Sequence, residues 1–314
     1  MKAVQINKYG GSGVFELNQN APVPTPTEGQ VLIKEYAASI NPFDWKVREG
    51  FFKNMMPLEF PVVLGGDFSG VITEVGEGVS EFKKGDEVFG SANFANGGSG
   101  SLAEYCLARI VNIAKKPKNA DFLESGASVL VGVSAVQALE EHINLKAKQK
   151  ILIHGGAGGI GSIAVQLAKV IGAHAATTVS GNDIEFAKSL GANEVIDYKT
   201  QGFEKIVKDF DAVFDTVGGE TTNKSFQVLK KGGILVSMLG QPDEKLAGKF
   251  GITAIGQNTQ TNTRHLNRLA ELIDNGAIKI QIDKVFPLEK VKEAFDYLEH
   301  GSPRGKIGIK IKDL

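Results

Sequence analysis

Cysteine is almost missing from this sequence of 314 residues, which contains only Cys106. A single thiol cannot form a disulfide within the chain, and it excludes a structural zinc site with four cysteine ligands. We predict that Cys106 is a buried, small apolar residue in a strand. Histidine is also scarce, and the five histidines are scattered without the paired spacing of metal ligands: His142, His154, His174, His265 and His300. We therefore expect no metal site, and we interpret His154 as a structural residue at a strand end.

An excess of charge of either sign is lacking as well. The 35 lysines and arginines nearly balance the 36 acidic residues, which argues against recognition of nucleic acid or anionic membranes through bulk charge. No uninterrupted apolar stretch approaches the roughly 18 residues needed to span a membrane. The start, MKAVQINKYGG, has no apolar signal core. We predict a soluble, cytoplasmic protein that binds no nucleic acid and has no membrane span.

Two hydrophobic patterns divide the chain. Residues 1–122 are β-rich, with short apolar segments such as VLIKEYAASI, GVITEVG and GDEVFG. In residues 123–262, short apolar runs alternate with amphipathic segments, which implies crossover units and a parallel sheet. Residues 263–314 return to a mixed pattern, in which IKIQI and KIGIKI are predicted strands. The sequence predicts an α/β fold, with a doubly wound nucleotide domain flanked by two parts of a β-rich domain.

A glycine-rich loop opens the nucleotide domain. In the segment ILIHGGAGGIGSIAVQLAKVIGA, Gly156, Gly158 and Gly161 form the pattern G-x-G-x-x-G between a predicted strand and a predicted helix. The first glycines allow the sharp turn, and Gly158 and Gly159 lack the Cβ that would keep a pyrophosphate away from the backbone. The N-terminus of the helix, from Gly159 and Ile160 onward, then offers free N–H groups to the anion. This arrangement predicts a dinucleotide site, whereas the missing Lys-Ser or Lys-Thr excludes a P-loop nucleotidase.

The end of the second predicted strand of this domain distinguishes NADP from NAD. An NAD site usually has an acid there for the ribose hydroxyls, but HAATTV ends at Ser180, and Asp183 is predicted to open the next helix. A hydroxyl donates to a phosphate that a carboxylate would repel. We therefore favour NADPH and assign Ser180, Asn182 and Tyr198 to its binding. No arginine stands beside Ser180. The positive charge is left to Lys188 or Lys199, although a lysine at such a position is more often just a solvated surface residue.

Several motifs resemble the zinc-independent branch of the medium-chain dehydrogenase/reductase family, which contains quinone oxidoreductases and enone (alkenal) reductases. They occur in the family's order and cover essentially the whole chain: NPFDWKVREG, FPVVLGGDFSGVITEVGEGV, KKGDEVFG, SLAEYCLA, the glycine loop, IEFAKSLGANEVIDYKT and RGKIGI. The sequence is similar to the plant chloroplast-envelope quinone oxidoreductase and fruit enone oxidoreductase types. The resemblance implies a GroES-like β-barrel domain from both chain ends (1–122 and 263–314), a Rossmann NADP-binding domain (123–262), and a homodimer. It also implies that the nicotinamide and the substrate lie between the domains.

The resemblance further implies roles for individual residues. Asn41 is expected near the nicotinamide ribose and the substrate carbonyl, with a turn cap as the alternative. Lys46 is expected at the cofactor phosphates or ribose, or else on the surface, and Asp44 either orients Lys46 or is a helix-start acid. Ser134 matches a family residue that approaches the nicotinamide. Val217, Gly218 and Gly240 follow predicted strands at ends where the cofactor should pass, and Lys306 is a further expected contact. Phe51 and Phe52 are expected to line the substrate side or to belong to the core.

The zinc ligands of related alcohol dehydrogenases are replaced here by Asn41-Pro42 and Gly65-Gly66-Asp67, so the resemblance implies chemistry without zinc. A nicotinamide then reduces conjugated acceptors more easily than simple carbonyls, because negative charge spreads onto oxygen. We predict an NADPH-dependent oxidoreductase of quinones or α,β-unsaturated carbonyl compounds. The alternatives are a non-enzymatic NADPH-binding or sensor protein and, less favoured, an alcohol dehydrogenase.

Overall fold

The computed structural model describes residues 1–312 of the chain. Its strands, in chain order, are β1 (Ala3–Ile6), β2 (Phe15–Asn18), β3 (Gln30–Ile40), β4 (Val62–Val63), β5 (Asp67–Val75), β6 (Glu87–Ser91), β7 (Tyr105–Arg109), β8 (Ile113–Lys115), β9 (Lys150–His154), β10 (His174–Val179), β11 (Glu194–Asp197), β12 (Phe210–Asp215), β13 (Leu229–Ser237), β14 (Thr253–Gly256), β15 (Ile282–Pro287) and β16 (Lys306–Lys310).

The α-helices of the same residues are α1 (Pro42–Arg48), α2 (Phe122–Val136), α3 (Gly159–Ile171), α4 (Ile184–Ser189), α5 (Glu220–Ser225), α6 (Glu244–Phe250), α7 (Thr263–Asp274) and α8 (Val291–His300). Helix α2 continues into a π-helical turn, Gln137–His142.

The described chain divides into two compact units. The first unit contains Met1–Leu130, Thr261–Gly276 and the segment that begins at Ile280, and the second contains Val131–Gln260 with Ala277–Lys279. The C-terminal part of the chain thus returns to the unit formed by the N-terminal part.

The first unit is built on a seven-stranded sheet with the order β15-β16-β3-β5-β6-β8, in which β7 pairs with β3. Most neighbouring strands of this sheet pair antiparallel, whereas β15 and β16 pair parallel. Apolar residues such as Ile33, Phe68 and Val88 form its core, and Cys106 is buried among them as predicted. A smaller sheet with the order β2-β1-β4 packs its apolar residues with those of α8 into a second core.

The second unit is a six-stranded sheet with the order β11-β10-β9-β12-β13-β14, in which all pairs are parallel. The first strand of this unit, β9, lies in the middle, and the order reverses beside it between β9 and β12. This is the Rossmann order, and its ligand position is the crevice at the carboxyl ends of the strands where the order reverses. The alternating apolar runs and helices of the sequence therefore predict this unit well.

The helical segment Phe122–His142 is long and apolar enough to cross a membrane by length and composition, with a mean hydropathy of 1.5. It is not an uninterrupted apolar run, because Glu124 and several serines lie within it. However, 83% of its apolar window is buried within the protein, as in a core helix. This single helix is weak evidence for a membrane span.

One strand prediction is wrong. The segment IKIQI, residues 278–282, was predicted as a strand, but β15 begins only at Ile282. Ile278 and Ile280 are buried, yet the backbone between them bonds to a side chain rather than to a strand. The Lys279 N–H donates to Oε1 of Gln166 at 2.9 Å, and Nε2 of Gln166 donates to the Lys279 carbonyl at 3.1 Å. A side-chain amide thus replaces the strand partner.

Candidate functional site

The glycine loop of the second unit is shaped by close backbone contacts. Gly155 has a φ of 76°, which favours glycine, and turns the chain out of β9. A Cβ on Gly156 would lie 2.1 Å from Oγ1 of Thr177, and a Cβ on Gly161 would lie 2.1 Å from the Gly155 carbonyl oxygen. Gly161 thus permits the start of α3 to pack on the loop itself.

Gly158 differs from its neighbours. It is the N-cap of α3, and a Cβ there would meet only the Gly155 carbonyl oxygen, at 3.4 Å. The protein therefore does not need glycine at this position for its own packing. The N–H of Gly158 itself donates to the Gly155 carbonyl at 3.0 Å. Because the first N–H groups of a helix have no intrahelical partner, Gly159 and Ile160 can offer theirs to an anion beside the open face of Gly158. This geometry fits the pyrophosphate of a dinucleotide.

Exposed apolar side chains follow three strands at this end of the sheet, β11 at one edge and the neighbouring pair β12 and β13. Tyr198, after β11, is 59% exposed, Val217, after β12, is 53% exposed, and Leu239, after β13, is 48% exposed. Gly240 follows with a φ of 109° and open space where a Cβ would stand. Large apolar groups left open at the ligand end of a Rossmann sheet suit a partly apolar ligand. Leu239 was not predicted, although its place after the strand ILVSM was a usable signal.

Asp215 is a second residue that the sequence did not single out. Its Oδ1 accepts the N–H groups of Val217 and Gly218 at 2.9 and 3.0 Å, and its Oδ2 accepts from Oγ1 of Thr222 at 2.5 Å. An aspartate that accepts from the backbone two and three residues ahead holds a tight turn. Asp215 therefore sets the position of Val217 and Gly218 at the strand end.

The end of β10 is more acidic than the sequence suggested. Ser180 donates to Oδ2 of Asp183 at 2.5 Å, while Asp183 is also the N-cap of α4, as predicted. Asp197, at the end of β11, places a carboxylate oxygen 2.8 Å from where a Cβ of Gly181 would stand. The prediction that no carboxylate lies at the end of β10 is therefore wrong. Asp183 lies three residues further along the chain but folds back to Ser180, and Asp197 lies nearby at the end of the neighbouring strand β11.

The predicted sources of positive charge are placed less favourably. Lys188 pairs with Glu185 on the exposed face of α4 at 2.8 Å, which identifies it as a surface lysine. The backbone N–H of Lys199 donates to Asp197 at 3.0 Å, so this lysine lies beside the strand ends. Asn182 lies in the short helical turn Gly181–Asp183.

Ser134 lies on α2 and is buried. Its hydroxyl is 2.8 Å from that of Thr259, and Nε2 of Gln257 donates to its backbone carbonyl at 3.0 Å. These contacts tie α2 to the segment after β14. The predicted contact of Ser134 with the nicotinamide stays a prediction.

His154 ends β9 directly before the glycine loop and is fully buried. Its Nδ1 lies 3.0 Å from Oγ1 of Thr178, and its Nε2 lies 2.9 Å from Oγ of Ser225. Burial lowers the pKa of the ring from 6.5 to about 4, against the opposing charge of Asp215. His154 is thus a neutral structural residue, as its position predicted.

This histidine makes the stability of the second unit depend on pH. The unfolded chain binds a proton near pH 6.5 and the folded chain only near pH 4, so stability is full above pH 6.5 and falls as pH drops through this window. The expected loss is about 3 kcal/mol at pH 4. Urea unfolding of His154→Gln should show a flatter profile than the parent, whereas the exposed control His300→Gln should retain the slope. Equal slopes for parent and His154→Gln would refute this.

The first unit contains a buried polar cluster at the end of β3. Asn41 precedes α1, and its Nδ2 donates to Oδ2 of Asp67 on β5 at 2.8 Å. Nζ of Lys306, on β16, donates to Oδ1 of Asn41 and to the Ile40 carbonyl at 2.9 Å, and it lies 3.6 Å from Oδ2 of Asp67. Ser39 also donates to Asp67, at 3.0 Å. Residues far apart in the sequence thus meet around one amide.

The electrostatics of this cluster are set by burial. Burial raises the pKa of Asp44 from 3.8 to about 7, against the N–H of Asn41, which donates to its carboxylate at 2.7 Å. Burial also raises the pKa of Asp67 and lowers that of Lys306, but the attraction between these two groups opposes both shifts. One lysine therefore faces two carboxyl groups.

The helix after Asn41 clarifies two predicted roles. Asp44 is the N3 residue of a capping box with Asn41, so it is a helix-start acid and not the ion-pair partner of Lys46. Nζ of Lys46 lies 5.7 Å from the ring centroid of Trp45.

The two phenylalanines after this helix differ in their burial. Phe51 is 67% exposed, whereas Phe52 packs with Phe43 at 5.3 Å between ring centroids. Phe52 therefore belongs to the core, and Phe51 does not.

Histidine, cysteine and acidic side chains are dispersed over residues 1–312. Within that range no group of three or more His, Cys, Asp or Glu side chains is arranged to hold a metal ion. Asp67 stands at one position that the resemblance associates with zinc, but its carboxylate is engaged by Asn41, Ser39 and Lys306.

Comparisons with known proteins agree with this architecture. Residues 27–118 match the family model described as an alcohol dehydrogenase GroES-like domain, and residues 190–307 match the one described as a zinc-binding dehydrogenase. A 2-methylene-furan-3-one reductase of Solanum lycopersicum is 40% identical, over 98% of this chain and 79% of that protein. An NADPH-dependent alkenal/one oxidoreductase, chloroplastic, of Arabidopsis thaliana is 38% identical, with the same two coverages.

Among solved structures, the quinone oxidoreductase from Coxiella burnetii superposes with a TM-score of 0.90 and 34% identity, covering 99% of both chains. The predicted fold class, a Rossmann sheet with a GroES-like domain, is confirmed. The spatial order of the strands, the motifs and these similarities together show that the chain belongs to the medium-chain dehydrogenase/reductase family, with relatives named quinone oxidoreductase and alkenal/one oxidoreductase.

Proposed function

We propose that the protein is an NADPH-dependent oxidoreductase that transfers hydride to quinones or α,β-unsaturated carbonyl compounds without zinc. The observation that carries this proposal is the glycine loop, where Gly158 is open to a ligand although Gly156 and Gly161 are closed by packing. The relatives supply the reaction class, because their names include an NADPH-dependent alkenal/one oxidoreductase and a quinone oxidoreductase.

The second unit is proposed to hold the cofactor. Gly159 and Ile160 bind the pyrophosphate through backbone N–H groups, and Gly158, which has no Cβ, lets it approach the backbone. Tyr198, Val217 and Gly240 line the path of the cofactor at the strand ends. When bound, NADPH supplies the hydride. The chain's own task is to orient the nicotinamide and to limit access of water.

The 2′-phosphate is proposed to lie near Ser180, Asn182 and Tyr198. Asp183 and Asp197 oppose a phosphate there, and Lys199 supplies positive charge beside them. The balance of these groups decides the preference between NADPH and NADH. Titration calorimetry with both cofactors tests it, and equal affinities would remove the assignment of a phosphate site.

The first unit is proposed to act on the substrate. The amide of Asn41 donates a hydrogen bond to the carbonyl or quinone oxygen, where negative charge develops during hydride transfer. Lys46 and Ser134 remain proposed cofactor contacts, whereas we propose another role for Lys306, which was also expected at the cofactor. Because Lys306 has three protein acceptors within 3.6 Å, we place it behind Asn41 rather than at the phosphates.

The experiment that tests this function follows NADPH absorbance with a panel of quinones, enones, simple aldehydes and, in reverse with NADP⁺, primary alcohols. Turnover confined to the conjugated acceptors supports the proposal. Turnover of the alcohols would indicate an alcohol dehydrogenase. Tight NADPH binding without turnover of any acceptor would favour a sensor protein.

Two glycine substitutions separate ligand binding from packing. Gly158→Ala is expected to fold with nearly parental stability but to bind NADPH at least about tenfold more weakly, because its Cβ occupies the space for the pyrophosphate. Gly161→Ala is expected to lower the free energy of unfolding by about 1–3 kcal/mol, because its Cβ meets the Gly155 carbonyl. Calorimetry and urea unfolding measure the two effects. Parental NADPH affinity in a folded Gly158→Ala variant would contradict the proposed site.

The assembly and location follow as further proposals. We assign residues 1–122 and 263–314 to the catalytic domain and 123–262 to the NADP-binding domain, and we propose a cytoplasmic homodimer. Sedimentation of the purified protein tests the dimer, and fractionation of cells tests the location. The alkenal/one relative is named as chloroplastic, so the location is a point on which relatives are expected to differ.

A further inference from the structure

We propose that Lys306 and Asp67 are positioning residues that hold the amide of Asn41 in one orientation, with its free N–H available to the substrate oxygen. The expected effect on catalysis rests on the proposed function. The orientation of the Asn41 amide depends only on residues of the first unit.

The amide of Asn41 is bonded at both ends. Nζ of Lys306 donates to its Oδ1, and its Nδ2 donates to Oδ2 of Asp67 at 2.8 Å. Asn41, Asp67 and Lys306 are each at most 4% exposed, so water does not compete for these bonds. An asparagine Nδ2 carries two hydrogens, and the bond to Asp67 uses one of them.

The two partners also decide which way the amide points. A lysine ammonium only donates, so it requires the oxygen of the amide, and an ionised carboxylate only accepts, so it requires the nitrogen. A reversed amide would place Nδ2 against the ammonium and Oδ1 against the carboxylate, losing both bonds. The charged pair thus selects one orientation, where two neutral partners would accept either.

The pair is itself held by other groups. Lys306 bonds to the Ile40 carbonyl, and Asp67 accepts from Ser39 and from the Leu130 N–H at 3.2 Å. Asp44, from α1, is the other charged group that acts on Lys306. A cation on Oδ1 also polarises the amide and strengthens the remaining N–H as a donor. Residues of three strands, Ser39 on β3, Asp67 on β5 and Lys306 on β16, therefore fix the position of the Asn41 side chain.

The test uses the full-length protein with NADPH and an active enone or quinone. Lys306→Met is expected to lower kcat by up to about 100-fold, because a misplaced donor loses its alignment, while KM for NADPH stays within about twofold. Lys306→Gln, whose amide still donates to Asn41, should recover part of the loss. Lys310→Gln, an exposed change on the same strand, should leave kcat unchanged. If Lys306→Met unfolds, the double variant Lys306→Met/Asp67→Asn removes the unpaired buried charge and takes its place.

A pH profile adds a readout that a structural role would not move. In the parent, kcat should fall on the alkaline side as Lys306 loses its proton, and this limb should be absent in Lys306→Gln. Parental kcat and an unchanged alkaline limb in the folded lysine variants would overturn the inference.

Nuclear magnetic resonance separates failure of the inference from failure of the proposed function. The side-chain NH₂ signals of Asn41, identified by their loss in Asn41→Ala, should be slow to exchange in the parent and should shift and exchange faster in Lys306→Met. If the Asn41 signals are the same in Lys306→Met as in the parent, the positioning role is refuted, whatever the activity of the variant. If the Asn41 signals shift in Lys306→Met but the parent protein reduces no acceptor, the positioning of Asn41 is supported and the proposed reductase function is refuted.

Discussion

Replacing Asn41 with alanine is expected to lower kcat for enone or quinone reduction by about 100- to 1,000-fold, the usual cost of removing one donor to a developing oxyanion. The dissociation constant of NADPH should stay nearly unchanged, since the proposed pyrophosphate site at Gly158 lies in the other unit. The effect is large because the donor is buried, oriented on both sides and aimed by a charged pair.

Stopped-flow measurement of a single turnover gives the chemical step directly, and calorimetry gives the NADPH affinity. The matched control is Asn7→Ala, because Asn7 is an exposed asparagine that bonds to Glu16 at 2.6 Å. Asn41→Asp, which keeps the shape but loses the donor, should be as slow as Asn41→Ala. Parental turnover in a folded Asn41→Ala variant would remove Asn41 from the mechanism.

Replacing Arg48 with alanine is expected to lower the free energy of unfolding of the first unit by about 3–5 kcal/mol, because it leaves buried acceptors without a charge partner. The Arg48 guanidinium is fully buried and bonds to both oxygens of Glu299, at 2.8 and 3.1 Å. It also donates to the Gly10 carbonyl at 2.9 Å and lies over the rings of Phe15 and Phe295. One side chain thus joins the N-terminal segment, α1 and α8.

Urea unfolding followed by tryptophan fluorescence measures this loss, since Trp45 lies on the same helix as Arg48. Arg268→Ala is the matched control, because Arg268 forms an ion pair with Glu271 at 2.8 Å on an exposed helix face. It should change stability by less than about 1 kcal/mol. Similar effects of the two substitutions would show that burial of the Arg48 pair contributes nothing.

Local patterns predicted the second unit with good accuracy. The run ILIH, the glycines and the helix that follows form the predicted strand, turn and helix in direct succession. Their interactions join residues close in the chain, so spacing alone is informative. The IKIQI segment shows the limit of such patterns. The backbone of Lys279 bonds to the side chain of Gln166, which lies 113 residues away in the chain.

Site residues divide in the same way. The motif NPFDWK pointed to Asn41, and the strand ends pointed to Tyr198, Val217 and Gly240. The roles of Asp67 and Asp215 were missed, because each carboxylate acts on groups that only folding reveals. Asp183 shows a third case, in which sequence spacing correctly predicted a helix start but concealed the bond to Ser180.

The sequence by itself predicted the doubly wound unit and the glycine loop, because these depend on residue types at short, regular spacings. Its motifs, taken in order along the chain, carried the resemblance to the family. Only the tertiary structure decided which side chains surround Asn41 and which acids face Ser180. Hydrogen bonds and charge pairs act over a few ångströms, whereas Asn41 and Lys306 are 265 residues apart in the chain, so their meeting depends on the strands that carry them.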